Sequence, residues 1–114
     1  MPRFVEVPEF EKDLGRLKFD IDEDLERFKK ALAVDKENLI GSVRISNLGE
    51  GICPVFKARK FRCKALQKGS KSGIRVIYFF NHEKEEIHLI EIYSKGKKEN
   101  HDLDRIKKYA TKNN

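Results

Sequence analysis

Apolar positions change period three times along the chain, and each change marks a new kind of element. Arg3 to Val7 alternates briefly with Phe4 inward, which predicts a short strand. Pro8 suits the first turn of a helix, where its missing N–H costs nothing. Phe10, Leu14 and Leu17 then fall on one helical face. Gly15 weakens that helix without forbidding it. Asp20 is the expected N-cap of a second helix, with Glu23 in capping-box position. Ile21, Leu25, Phe28 and Leu32 form its apolar stripe. Acids fill its first turn and Lys29 and Lys30 come late, as the helix dipole prefers. The tight connection around Phe19 and Asp20 makes the two helices a hairpin.

Residues 35–52 show no clear period. Gly41, Asn47, Gly49 and Gly51 mark loop there, which Ile40, Val43, Ile45 and Leu48 can pin to the core. From Pro54 the period becomes two. Val55 to Lys64 reads as a strand that interleaves small or apolar residues with bases. Residues 67–73 form a basic turn. Ile74 to Phe80, IRVIYFF, is a near-continuous apolar run and predicts a strand buried on both faces. Residues 81–85 are a polar hairpin loop, and Glu86 to Ser94 returns as an alternating strand. After a loop at 96–100, Leu103, Ile106 and Tyr109 or Ala110 define a last helix, with Asn100 or His101 near its cap. The expected fold class is α+β, a single domain over 1–114. It has an antiparallel β-sheet meander, an N-terminal helical hairpin packed on one face and a C-terminal helix.

Composition narrows the class. Of 114 residues, 39% are hydrophobic and 10% aromatic, which is enough for one core, and 7 Gly with 3 Pro exclude collagen-like chains. No apolar run approaches the roughly 20 residues of a membrane span. The start turns acidic at once, unlike a signal peptide. A cytoplasmic protein with no membrane partner is expected. Cys53 and Cys63 lack CxxC spacing and read as two small buried side chains.

Charge sharpens the picture more than composition does. Net charge is +6. Residues 1–50 carry 9 Lys/Arg against 12 Asp/Glu, and residues 83–114 carry 8 against 7. Residues 53–82 carry 8 Lys/Arg and no acid: Lys57, Arg59, Lys60, Arg62, Lys64, Lys68, Lys71 and Arg75. Such a field attracts a polyanion. The same window holds Phe56, Phe61, Tyr78, Phe79 and Phe80, which the strand pattern assigns mainly to the core.

Motifs for other chemistry are missing. His82, His88 and His101 stand apart, without metal-ligand spacing. There is no phosphate-binding glycine loop and no serine in GxSxG. No metal or cofactor is expected. Arg75 is the anomaly, a guanidinium inside the most apolar strand, on the face of Ile77 and Phe79. A buried cation needs a partner. One reading is an ion pair with Glu91 on the neighbouring strand; the other is a phosphate held by the guanidinium fork. Lys95 directly follows the next strand and is well placed for the same phosphate. Lys97 and Lys98 lie in the loop beyond. Metal-free RNA cleavage needs an activated 2′-hydroxyl, a neutralised phosphorane and a protonated leaving oxygen. Cations serve the second; His, Tyr or a lysine of lowered pKa serves the first or third. His101 is the histidine nearest the end of the last strand, although a capping surface histidine is the plainer reading.

Several short motifs occur in an order that points to a family. Phe4-Val5-Glu6-Val7-Pro8-Glu9-Phe10-Glu11-Lys12 opens the chain, and Lys57-Ala58-Arg59 is a basic strand of KxR type. Lys71-Ser72-Gly73-Ile74-Arg75-Val76-Ile77-Tyr78-Phe79-Phe80 follows, then Ile92-Tyr93-Ser94-Lys95 and Asp102-Leu103. In this order the chain resembles the RelE/HigB superfamily of bacterial and archaeal type II toxins, in its HigB-like branch. The resemblance implies a compact RelE-like α/β fold and a metal-independent, ribosome-dependent mRNA endonuclease that inhibits translation. It also implies a cognate antitoxin as partner, besides ribosome and mRNA. By resemblance Lys57, Arg59, Arg75 and Lys95 surround the scissile phosphate, with His101 the added proton-transfer residue. Lys60, Arg62, Lys64, Lys68, Lys71, Lys97 and Lys98 are then RNA-binding, and Tyr93 stacks on a base. The alternatives are a non-catalytic RNA- or antitoxin-binding module of the same fold and a ParE-like gyrase toxin.

Overall fold

The most apolar segment of the chain takes the most buried place in it. In the computed structural model, which describes residues 2–112, Ile74–Asn81 is the central strand of a five-stranded sheet. Elements run β1 (Arg3–Glu6), α1 (Pro8–Arg16), α2 (Asp22–Asp35), β2 (Ser42–Arg44), β3 (Val55–Ala58), β4 (Ile74–Asn81), β5 (Glu86–Ser94) and α3 (Leu103–Ala110). Strand order is β1-β5-β4-β3-β2. β3, β4 and β5 form the expected antiparallel meander. β1 instead pairs in parallel with β5, so the sheet is mixed. Residues 7–85 separate those two strands, ample for the crossover that a parallel pair requires.

The two faces have different covers. Phe10, Leu25 and Leu32 of the helical hairpin pack with Ile74, Val76, Tyr78 and Phe80 on one face. Ile106 and Ala110 of α3 pack with Val55, Ile77, Phe79 and Tyr93 on the other. A bulge in β5 sets this second face. Ile77 pairs with Glu91 but Tyr78 pairs with Leu89, which leaves Ile90 as the extra residue. Glu91 and Tyr93 therefore share the face of Arg75 and Ile77.

Beyond Leu89, β1 has ended and the outer edge of β5 lacks a strand partner. Asp13 of α1 accepts the Ile92 N–H at 3.1 Å, and Arg105 of α3 donates to the Ile90 carbonyl at 3.2 Å. The two side chains are themselves paired at 2.6 Å. One ion pair thus substitutes for the missing strand and binds both helices to the edge.

Several expectations are corrected. The basic strand ends at Ala58, not Lys64. Beyond it side chains supply the backbone partners: Ser72 Oγ donates to the Phe61 carbonyl at 2.5 Å, and Asp24 accepts the Lys64 N–H at 3.3 Å. Phe61 meanwhile packs its ring 5.3 Å from that of Phe28. Helix α2 starts at Asp22 with Ile21 at the cap, and the capping box does not form. Asp20 accepts the Asp22 N–H at 2.9 Å, while Glu23 pairs with Lys64. The segment at 35–52 contains an edge strand, β2, whose three residues are too few to show a period. In it Ile45 and Leu48 reach the core, but Ile40 is 83% exposed and Val43 41%. Leu103 also faces solvent rather than completing the α3 stripe. Cys63 is buried and Cys53 half-buried, both unpaired. Among the described residues no helix is long and apolar enough to cross a membrane.

Candidate nucleic-acid cleft

Strand register carries the cations to one place. On β3, Lys57 lies opposite Ile77 of β4, which in turn lies opposite Glu91 of β5. One step along, Arg59 follows the end of β3 and Arg75 pairs with Tyr93. Lys95 comes straight after β5, and its N–H is bonded to the Gly73 carbonyl at 2.9 Å, beside the start of β4. His101 precedes Asp102, whose side chain caps α3 by accepting the Arg105 N–H at 3.0 Å. Because α3 docks through Ile106 and Ala110, its N-terminus is held over this end of the sheet.

The result is a cleft of about 320 Å³ lined by Lys57, Arg59, Arg75, Tyr93, Lys95 and His101, with Arg44 and Glu99 at its margin. A wider hollow of about 820 Å³ shares Arg59, Arg75 and Lys95 and adds Lys60 and Lys71. The structure thus gathers the five residues expected to do chemistry, Lys57, Arg59, Arg75, Lys95 and His101.

Other expected residues lie elsewhere. Arg62 lines a separate hollow against α2 with Phe28 and Leu39. Lys64 pairs with Glu23 at 3.0 Å, and Lys68 is exposed in the 59–73 segment, outside both openings. Lys97 and Lys98 line a cavity of about 360 Å³ at the open edge of β5. Tyr93 is buried, with the Lys98 amine 5.6 Å from its ring centre. Its ring is a wall of the cleft and not a platform presented for stacking.

Arg75 and Glu91 are not paired. The Arg75 guanidinium donates to the Arg59 carbonyl at 3.2 Å. Glu91 is engaged by Lys98 and by the Asp102 N–H, the latter at 2.8 Å. Asn100 accepts from Lys57 Nζ at 3.3 Å and from the His101 N–H at 3.2 Å, a bridge no sequence pattern announces. Electrostatics follow from this crowding. Burial pushes the Lys57 amine below its ordinary value, and the charges of Arg75 and Arg59 push the same way against Glu91. Burial likewise lowers His101, reinforced by Lys57 and opposed by Glu91. Its Nδ1 is buried without a hydrogen-bond partner. Such a cleft can hold a phosphodiester by its cations and offers two groups for proton transfer, an imidazole as base and an ammonium made more acidic by its surroundings as acid. Among the described residues no group of three or more His, Cys, Asp and Glu side chains is placed to hold a metal ion.

No protein-family model matches the sequence, and no curated protein matches it at a significant level. The fold does have solved counterparts. A metal-bound toxin from Helicobacter pylori superposes with a TM-score of 0.58 at 16% identity, over 86% of this chain and 99% of that one. A chain of the archaeal RelE–RelB complex from Pyrococcus horikoshii OT3 superposes with a TM-score of 0.57 at 18% identity, over 83% and 96%. At these identities the likeness is one of architecture. The chain has the fold of RelE-like toxins.

Proposed function

We propose that this chain is the toxin of a toxin–antitoxin pair: a metal-independent endoribonuclease that cuts mRNA on the ribosome, inhibits translation and is silenced by a cognate antitoxin. The carrying observation is the convergence of Arg75, Lys57, Arg59 and Lys95 with His101 on one cleft. In this reading the 2′-oxygen of one nucleotide attacks the adjacent phosphorus and the P–O5′ bond breaks. His101, neutral because burial lowers its pKa, accepts the 2′-hydroxyl proton. Arg75 and Lys95 neutralise the charge that develops on the phosphorane, and preorganised cations are worth most in that role. Lys57, its ammonium weakened by burial and by Arg75, donates the proton that the leaving 5′-oxygen needs. In-line attack requires the 2′-oxygen to be held opposite the leaving 5′-oxygen. A substrate already positioned by the ribosome relieves that demand. The printed RelE–RelB partnership of the archaeal neighbour supports an antitoxin partner, and membership of the HigB-like branch rests on the motifs quoted above.

Inducible expression with mapping of mRNA ends on translating ribosomes is the test. New ends within translated codons are expected, with little cleavage of the same RNA free in solution. Efficient digestion of naked RNA contradicts the ribosome requirement. Growth arrest without new ends, relieved by a resistant gyrase, replaces this reading with the gyrase one.

A further inference from the structure

Glu91 is an acid buried on the sheet face that carries the cationic cleft, with 1% of its surface exposed. Burying a carboxylate is costly, and an apolar residue at this strand position would commonly serve stability as well or better. Its two oxygens have separate tasks. Oε1 accepts the Asp102 N–H at 2.8 Å, directly after His101. Oε2 is engaged by Lys98. It also stands in one row of the sheet with Lys57, across Ile77. A pin for α3 needs only an oxygen; the charge is matched by Lys98 on one side and stands behind the cations of the cleft on the other.

We propose that Glu91 is a positioning residue for the cleft: its carboxylate pins the segment that carries His101, and its charge is the buried counter-charge for His101 and Lys57 among the surrounding cations. The groups that face His101 make the need plain. In the cleft, β2 contributes Arg44, β3 Lys57 and Arg59, β4 Arg75 and β5 Tyr93, with Lys95 beyond its end; Glu91 lies just behind, lining the neighbouring cavity and reaching the segment through the Asp102 N–H. The connection to α3 contributes Lys98 and the exposed Glu99, and Asp102 is turned into the helix cap. Cations dominate this set, and a buried negative charge beside it favours the protonated forms of His101 and Lys57. The opposing influence of Glu91 on both groups agrees with this geometry. The consequence for rate rests on the nuclease reading above; the electrostatic role does not.

The test is a proton NMR titration of the His101 ring in the wild type, Glu91→Gln and Lys98→Met, with His82 and His88 as internal references. Glu91→Gln keeps an oxygen for the Asp102 N–H and removes only the charge, so the His101 midpoint should move to lower pH. Lys98→Met removes a cation, so the midpoint should move to higher pH while α3 amides keep their protection from exchange. A merely structural role predicts otherwise: either variant loosens the connection, exposes the ring and raises the midpoint toward the ordinary histidine value. A rise in Glu91→Gln, or no movement, therefore overturns the proposal. Should that variant not fold, a Lys98→Met rise accompanied by lost α3 protection also overturns it. In a working nuclease the acid limb of the kcat/KM–pH profile should follow each midpoint. Opposite midpoint shifts in a protein that cuts no RNA would uphold the role of Glu91 and remove the nuclease reading.

Discussion

Arg75 is half-buried in the central strand, yet its guanidinium donates to a backbone carbonyl, that of Arg59. That arrangement decides what its removal does. Had it neutralised Glu91, truncation would leave a carboxylate alone in the core and threaten the fold. Since Lys98 and the Asp102 N–H hold Glu91 instead, Arg75→Ala forfeits about one ordinary hydrogen bond, on the order of 1 kcal/mol. Loss of a preorganised cation at a phosphorane is far more severe for the rate, about 10²-fold or more. Arg75→Ala should therefore melt within a few degrees of the wild type, keep antitoxin binding and lose growth arrest. A folded variant that still cuts mRNA at the wild-type rate would take Arg75 out of the site. The sequence pointed to this residue because a charge in an apolar strand breaks the local pattern. It left the partner open, because the partner depends on a bulge at Ile90 that shifts which β5 side chains face β4.

At the level of elements, α3 matters most, since it carries His101 and is fastened at both ends. At its start Arg105 pairs with buried Asp13 at 2.6 Å, and only 12% of the Arg105 side chain is exposed. Arg105→Ala takes the closest cation from that carboxylate, which keeps the Ile92 N–H and Arg16, and leaves the Ile90 carbonyl without its side-chain donor. It should cost about 3 kcal/mol, read as a lowered melting temperature, and reduce activity through α3. At its end Tyr109 hydrogen-bonds Glu9, which with help from Lys108 pulls the Glu9 carboxyl down to about 2 against burial. A depressed acid gives stability that is present above its unfolded value, 4.5, and is lost as pH falls toward about 2. Amide exchange should show α3 protection falling across that window, and Glu9→Gln should abolish the step. An unchanged profile in Glu9→Gln would place the acid sensitivity elsewhere. Periodicity revealed these helices and the meander because each repeats apolar positions on one face, although in α3 Leu103 turns to solvent. It could not reveal β2, whose three residues are too few for a period, nor the Asp13–Arg105 brace, whose members lie 92 positions apart.

Across the whole molecule, folding divides the basic residues that composition had grouped together. The acid-free window reads as one polyanion surface, but its members part after Ala58, where the chain leaves the sheet. Lys57, Arg59, Lys60, Lys71 and Arg75 meet at the two joined openings together with Lys95. Lys64 turns to α2, where Glu23 neutralises it, and Arg62 lines the hollow behind. This separation is measurable without any cleavage, in an Arg75→Ala background that leaves single-stranded RNA intact. Each phosphate neutralised on a single strand contributes about −0.7 to the slope of log K against log salt. Lys60→Ala and Lys71→Ala should each flatten that slope by about that amount and weaken binding for every sequence alike. Lys64→Ala should leave slope and affinity unchanged, since its charge is spent on Glu23 and lies off the track. If Lys64→Ala flattens the slope as much as Lys60→Ala, RNA crosses the hairpin side of the molecule, and the cleft between β2, β4 and α3 is not the path of the strand.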